Sequence, residues 1–201
     1  MTTTIRGERD SDAQPSATIA GVEPKEHYEI VNGLIVEEPP LGAREGWIAT
    51  TISFLLNQFI WGKRLGRVAN EVLFILQTTP RLRRSPDVAF VSSERWSFGT
   101  PVTSSAAWDV VPDIAVEVIS PSDLSSDVQT KIAEYFRAGV RLVWVVYPRQ
   151  AEIYVYESPR NVRVVGREGS VDGGSVLPGF KMALIEVFET DADEPLAEGD
   201  E

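Results

Sequence analysis

The run PDIAVEVI at residues 112–119 sets Glu117 between Val116 and Val118. The rest of the run is apolar enough for a strand covered on both faces. A buried carboxylate without a partner costs several kcal/mol, so a second group must meet it. Alternate residues of a strand share a face, so Asp113, Ala115, Glu117 and Ile119 point one way. Asp113 and Glu117 are then about 13 Å apart along the strand, too far to share one ion. The second carboxylate has to come from another strand. Asp87, in SPDVAF, is the best candidate: it stands at the mouth of a short apolar strand entered through Pro86. Two carboxylates on adjacent strands with a lysine nearby form a phosphodiester-cleaving constellation. Carboxylate oxygens suit Mg²⁺, the metal activates a water and polarises the phosphate, and the lysine orients the water or offsets charge developing on the phosphorane. Plainer readings stand beside this one. Glu117 could be paired with an arginine, Asp87 could cap a turn, and Lys131 could serve only as the i,i+4 partner of Asp127.

The elements that must position these residues follow from spacing. In YEIVNGLIVEE, Asn32-Gly33 between two β-rich runs predicts a two-residue hairpin, and Pro39-Pro40 ends its second strand. From Glu45 to about Trp61, Ile48, Ile52, Leu55, Leu56 and Phe59 recur at three- and four-residue spacing, as on one buried helix face. RVANEVLFILQ reads as β-rich, TTPRLRRS as a turn, PDVAFVS as a short strand, and 92–111 as a long loop with Trp96, Phe98 and Trp108. After the turn SPSDLSS, Ser126 and Gln129 fit a capping box, so a helix should begin near Asp127 and stop at Gly139. RLVWVVYP is a second apolar strand, and the strand–helix–strand unit has the order of a crossover joining parallel neighbours. EIYVYE and NVRVVG continue as a meander. The fold class is α/β or α+β, one mixed central sheet flanked by helices.

Composition narrows the chemistry. Cysteine is absent, which excludes disulfides and cysteine-bound zinc. His27 is the single histidine, so a histidine-rich metal site or a Ser-His-Asp triad is not expected, and surface or packing duty suits it better. The net charge of -11 is uneven. Residues 189–201 hold seven acids and no base, residues 1–26 five acids and three bases, leaving 18 acids against 16 bases between. The acidity is thus mostly an appended tail. Residues 1–25 and 189–201 are expected to be disordered ends around a domain spanning 26–188. No apolar run reaches the roughly 20 residues of a membrane span and no secretory signal is visible, so a cytoplasmic protein is expected.

PDVAFV, PDIAVEVISPSD, the D-x-x-x-K spacing of Asp127 and Lys131, and EYFRAGVRLVWVVYP together resemble the Uma2 family (DUF820), bacterial proteins of the PD-(D/E)XK nuclease superfamily. The resemblance covers about residues 28–157, the hairpin included, and is most specific from Pro112 to Pro148. It implies a restriction-endonuclease-like fold and a Mg²⁺- or Mn²⁺-dependent DNA endonuclease. Asp87 matches the superfamily's metal-binding Asp, and Glu117 the acid of the E-x-K element. Ile119 stands where that element carries lysine, and Lys131 on the following helix is the matching substitute. Glu45 occupies a position where relatives usually carry His, which implies a third, water-mediated ligand; Glu71 is a lesser candidate. Arg81, Arg83 and Arg84 could meet a phosphate backbone or form a solvated turn. One rival reading is a nuclease fold without catalysis, retained for DNA binding or protein interaction; a second is a metal-dependent hydrolase of RNA or another phosphodiester. A homodimer through the apolar 96–108 loop is open.

Overall fold

The computed structural model describes residues 27–188 together with the backbone of 17–18. Within the stretch expected to lack structure, Ala17–Thr18 forms strand β1; the rest of 1–25 and the acidic tail lie outside the described residues. The hairpin is present as β2 (Tyr28–Val31) and β3 (Leu34–Glu37), with Val31 facing Leu34. Both turn residues take positive φ, 53° at Asn32 and 82° at Gly33, as a two-residue turn matched to strand twist requires. Helix α1 spans Ala43–Ile60 and ends in a 3₁₀ turn, Trp61–Lys63.

RVANEVLFILQ divides between two sheets. Strand β4 (Gly66–Asn70) and β5 (Phe74–Gln77) are separated at Glu71, whose φ of 51° swings the chain out of one sheet and toward the other. The TTPRLRRS segment, expected as a turn only, contains β6 (Leu82–Arg84), which pairs with β5 and β2. Then come β7 (Val88–Ser92), β8 (Ile114–Val118), α2 (Ser125–Ala138) and β9 (Leu142–Tyr147). The meander follows as β10 (Glu152–Ser158) and β11 (Asn161–Val165). A pair the sequence reading did not resolve, β12 (Ser170–Gly173) and β13 (Leu177–Ala183), leads to a short helix α3 (Leu184–Val187).

The central sheet has order β11-β10-β9-β8-β7-β4, with β8 and β9 parallel and the other neighbours antiparallel. The parallel pair is the expected crossover around α2. A second sheet, β1-β3-β2-β6-β5, carries the hairpin. The central strands alternate between two cores. Val88, Phe90, Val116 and Trp144 pack with Ile48, Ile52 and Leu56 of α1. Ala89, Ala115, Val143 and Val145 pack with Val128, Ile132 and Tyr135 of α2, joined by Phe74, Leu76 and Leu82 of the second sheet. Helix α2 therefore lies in the seam between the sheets. It begins at Ser125, and no side chain caps it: the Ser126 hydroxyl turns to the Asp127 carboxylate at 3.3 Å instead of forming the expected capping box. It stops as expected at Gly139, with φ 102°.

The 92–111 loop is used internally. Trp108 is buried and stacks on Phe74 with centroids 5.7 Å apart, and Trp96 meets Trp108 edge-on at 5.4 Å. Trp96 and Trp108 thus serve the protein's own core, while Phe98 and Val102 of the same loop stay exposed. Gly66 lies so close to β7 that an added Cβ would sit 2.2 Å from the Val91 carbonyl oxygen. The backbone cannot yield as a side chain would, so Gly66→Ala is expected to destabilise by about 1–3 kcal/mol in urea denaturation. Among the described residues, no helix is long and apolar enough to cross a membrane.

Candidate functional site

Strand register brings the two candidate carboxylates together. Val88 pairs with Val116 in the antiparallel β7–β8 ladder, so one step outward sets Asp87 opposite Glu117. Directly opposed residues share a face and have Cβ atoms about 5 Å apart. The Asp87 carboxylate also accepts the Val118 amide at 2.5 Å, fixing it to the end of β8. Glu117 lies on the face of Ala115, the α2 side. From that helix Tyr135 donates its hydroxyl to Glu117 in a short hydrogen bond. One turn earlier, Lys131 Nζ stands 3.7 Å from Glu117 Oε2. The lysine expected to serve only Asp127, or to reach back to the strand, does reach the strand acid.

Lys131 also meets two acids of the hairpin, Glu29 at 3.5 Å and Glu38 at 3.4 Å. Neither was singled out in the sequence. Glu29 is fully buried and holds Arg84 and the Ser85 amide, the latter at 2.9 Å. Arg84 closes the network on Glu134, at 2.8 Å through Nε. Arg84 is thus a buried structural cation, and the proposal that it meets phosphate is corrected: its charge is consumed by two internal carboxylates. A signal for this arrangement did exist. Val128, Lys131, Ile132 and Tyr135 follow i, i+3, i+4, i+7, so the lysine stands in the inward stripe of α2.

The charges explain the proton affinities. Burial, then the charge of Glu117, push Asp87 up to about 8, against the Val118 amide and the weaker pull of Lys131. Burial raises Glu117 as well, with Glu29 adding to the rise while Lys131 opposes it. Glu38 is pushed up to about 7 by burial, with Lys131 pulling down and Glu29 and Glu117 pushing up. Burial would raise Glu29 too, but Lys131 and Arg84 together hold it below the usual range. Burial disfavours the charge on Lys131; Glu117, Glu29 and Glu38 outweigh it and hold the lysine well above its ordinary value. Negative charge is in excess, and it is least compensated at Asp87.

Two hard carboxylates short of positive charge suit a small divalent cation. Among the described residues, no three acidic or histidine side chains converge as a metal cage. Glu45 lies in the first turn of α1, on the other side of the sheet, and folds back over Gly42. It lines the same cleft, of about 1080 Å³, as do Glu71 and exposed His27. The expected third-ligand position is therefore at the cleft wall, outside any converged set. Asp113 is buried at the far end of β8, bound to Arg95 at 2.9 Å and Arg141 at 3.3 Å. It is structural, as its distance from Glu117 requires.

A family model, Uma2, described as "Putative restriction endonuclease", matches residues 14–185. The fold matches a crystal structure of "a putative nuclease belonging to DUF820" from Anabaena variabilis, with a TM-score of 0.71 at 17% identity. The match covers 84% of this chain and 93% of that one, and at such identity the likeness is one of fold. No curated protein matches.

Proposed function

The chain belongs to the Uma2 family, and from that premise we propose that it is a divalent-metal-dependent endonuclease that hydrolyses phosphodiester bonds in DNA. The observation that carries this reading is the opposition of Asp87 and Glu117 across β7 and β8, with Lys131 3.7 Å from Glu117. Asp87 and Glu117 would hold Mg²⁺ or Mn²⁺. Such a cation supplies Lewis acidity toward the phosphate and lowers the pKa of water. Lys131, held protonated by three acids, donates hydrogen bonds and positive charge; it orients the attacking water and offsets charge on the phosphorane. Tyr135 keeps the Glu117 carboxylate aimed at the strand end. Glu45, at the cleft wall, would touch a ligand only through water.

Ile119, where the superfamily's strand lysine would stand, favours a second reading: a nuclease fold that binds DNA or a protein without cutting. One experiment separates the two. Supercoiled plasmid should be nicked in Mg²⁺ or Mn²⁺, with Glu117→Ala slower by about a thousandfold, roughly 4 kcal/mol in barrier. Equal nicking by both proteins would sink the catalytic assignment. DNA binding without metal-dependent nicking would favour the second reading.

A further inference from the structure

Helix α1 buries Ile48, Ile52, Leu56 and Ile60 against the central sheet. Its opposite face is also apolar. Trp47 is 58% exposed, Phe54 62% and Trp61, in the following 3₁₀ turn, 75%. These rings recur every seven residues, and a seven-residue step falls only about 20° short of two full turns. They form one outward stripe, pointing roughly opposite to the buried residues. Thr50 and Gln58, both exposed, lie along it.

We propose that this stripe is the contact surface between two copies of the chain, packed antiparallel along α1. The spacing is symmetric about Phe54, with a tryptophan seven residues to either side. A two-fold axis through Phe54 sets Phe54 against Phe54, and Trp47 of each copy against Trp61 of the other. Such a self-complementary patch is what a two-fold dimer requires. A seven-residue apolar repeat also gives the shallow crossing of about 20° found in antiparallel helix pairs.

Area and charge favour this occupant. At roughly 200–250 Å² for a fully exposed aromatic side chain, the three rings offer about 400–500 Å² per copy. Two copies reach about 800–1,000 Å² before any neighbouring residue is counted, close to the roughly 1,200 Å² of small specific interfaces. Arg44 and Glu45 are the only charged residues of α1, and both precede the stripe. Cations stand only at its two ends, Arg44 bonded to the Pro148 carbonyl and Lys63 lying over the Phe59 ring with Arg64 beside it. Between Trp47 and Trp61 there is none of the basic track that a base-stacking platform for single-stranded nucleic acid runs along its aromatics.

The test uses the full chain, which has no native cysteine. Sedimentation velocity should show a mass of two chains at micromolar concentration. Phe54→Glu should weaken association about a hundredfold or more. Its melting temperature should match wild type when both are diluted to monomer, because the side chain is exposed there, and should lose the rise with concentration that wild type shows. The register is read by single cysteines and a short bismaleimide. Phe54→Cys should cross-link to itself. Trp47→Cys should not, since its two copies lie about 21 Å apart along the axis, but it should cross-link when mixed with Trp61→Cys. A wild-type monomer throughout the range, an undiminished Phe54→Glu dimer, or equal self-linking of Trp47→Cys would each overturn the proposal. A monomer whose tryptophan fluorescence responds to an oligonucleotide, with the response abolished by Trp47→Phe and Trp61→Phe together, would overturn it in favour of base stacking. None of these readouts depends on nuclease activity.

Discussion

Lys131→Met is expected to destabilise the fold by about 3–5 kcal/mol near pH 8, because it removes one partner of a buried ionic cluster. Three acids, Glu29, Glu38 and Glu117, lose the cation they share. The loss should be smaller near pH 5, and the sign follows from the proton affinities. Asp87 at about 8 and Glu38 at about 7 both lie above their unfolded values. The folded chain therefore binds more protons than the unfolded chain between about pH 4 and 8, and these groups subtract stability as pH rises. Lys131 itself is raised, so its own contribution is present below the ordinary lysine range and is lost only above it. Without it, the pull that lowers Glu29, Glu38, Glu117 and Asp87 disappears, and the decline with pH steepens. Urea denaturation of both proteins at pH 5 and pH 8 measures this. An equal deficit at the two values would show that lost packing, and not lost charge, accounts for it. Lys131→Arg, which keeps the charge, should recover much of the stability while still lowering nicking, since a guanidinium does not reproduce a compact ammonium.

Arg84→Met should cost a similar amount, about 3–5 kcal/mol, since it strands Glu134 and leaves Glu29 with Lys131 as its remaining cation. Arg81→Ala, at an exposed position three residues away, should change stability by less than about 0.5 kcal/mol. The contrast divides a cluster that looks uniform in the sequence. Combining Arg84→Met with Glu29→Gln and Glu134→Gln should restore part of the loss, because the stranded charges go with the cation. Thermal denaturation of the three proteins decides it. A triple variant no more stable than Arg84→Met would mean that shape, and not charge, holds this seam.

The elements that surfaced in the sequence were those with periodic or turn chemistry. Asn32-Gly33 announces a hairpin because few residue pairs accept two positive φ values. IAVEVI, apolar but for Glu117, and the unbroken LVWVV announce buried strands, and Gly139 the end of a helix. What stayed hidden was hidden for physical reasons. The division of 67–77 between two sheets depends on a positive φ at Glu71, which is not glycine and carries no local mark. Glu29 reads as one charged residue of a hairpin strand and Arg84 as part of a basic turn, because burial of a charge depends on partners distant in the chain. The capping box at Ser126 failed because the helix begins one residue earlier, at Ser125, so Ser126 stands within the first turn and its hydroxyl donates to the Asp127 carboxylate. The opposition of Asp87 to Glu117 and the reach of Lys131 toward the strand could be anticipated from the sequence; the hairpin acids beside the lysine could not.

The network around Arg84 and Lys131 has a kinetic consequence. Arg84 lies 55 residues from Glu29 and 50 from Glu134, so its bonds close large loops and cannot form until both sheets have met across α2. Contacts of such sequence separation form slowly, since chain entropy is lost before they repay it. Lys131 draws on the same hairpin acid, so its final position is among the last features to be set. During folding, the helix and the central strands can be formed while the lysine still lacks its full set of acids. A partly folded chain would then carry both strand carboxylates yet be chemically silent, and competence toward a phosphodiester would arrive only with completion of the fold.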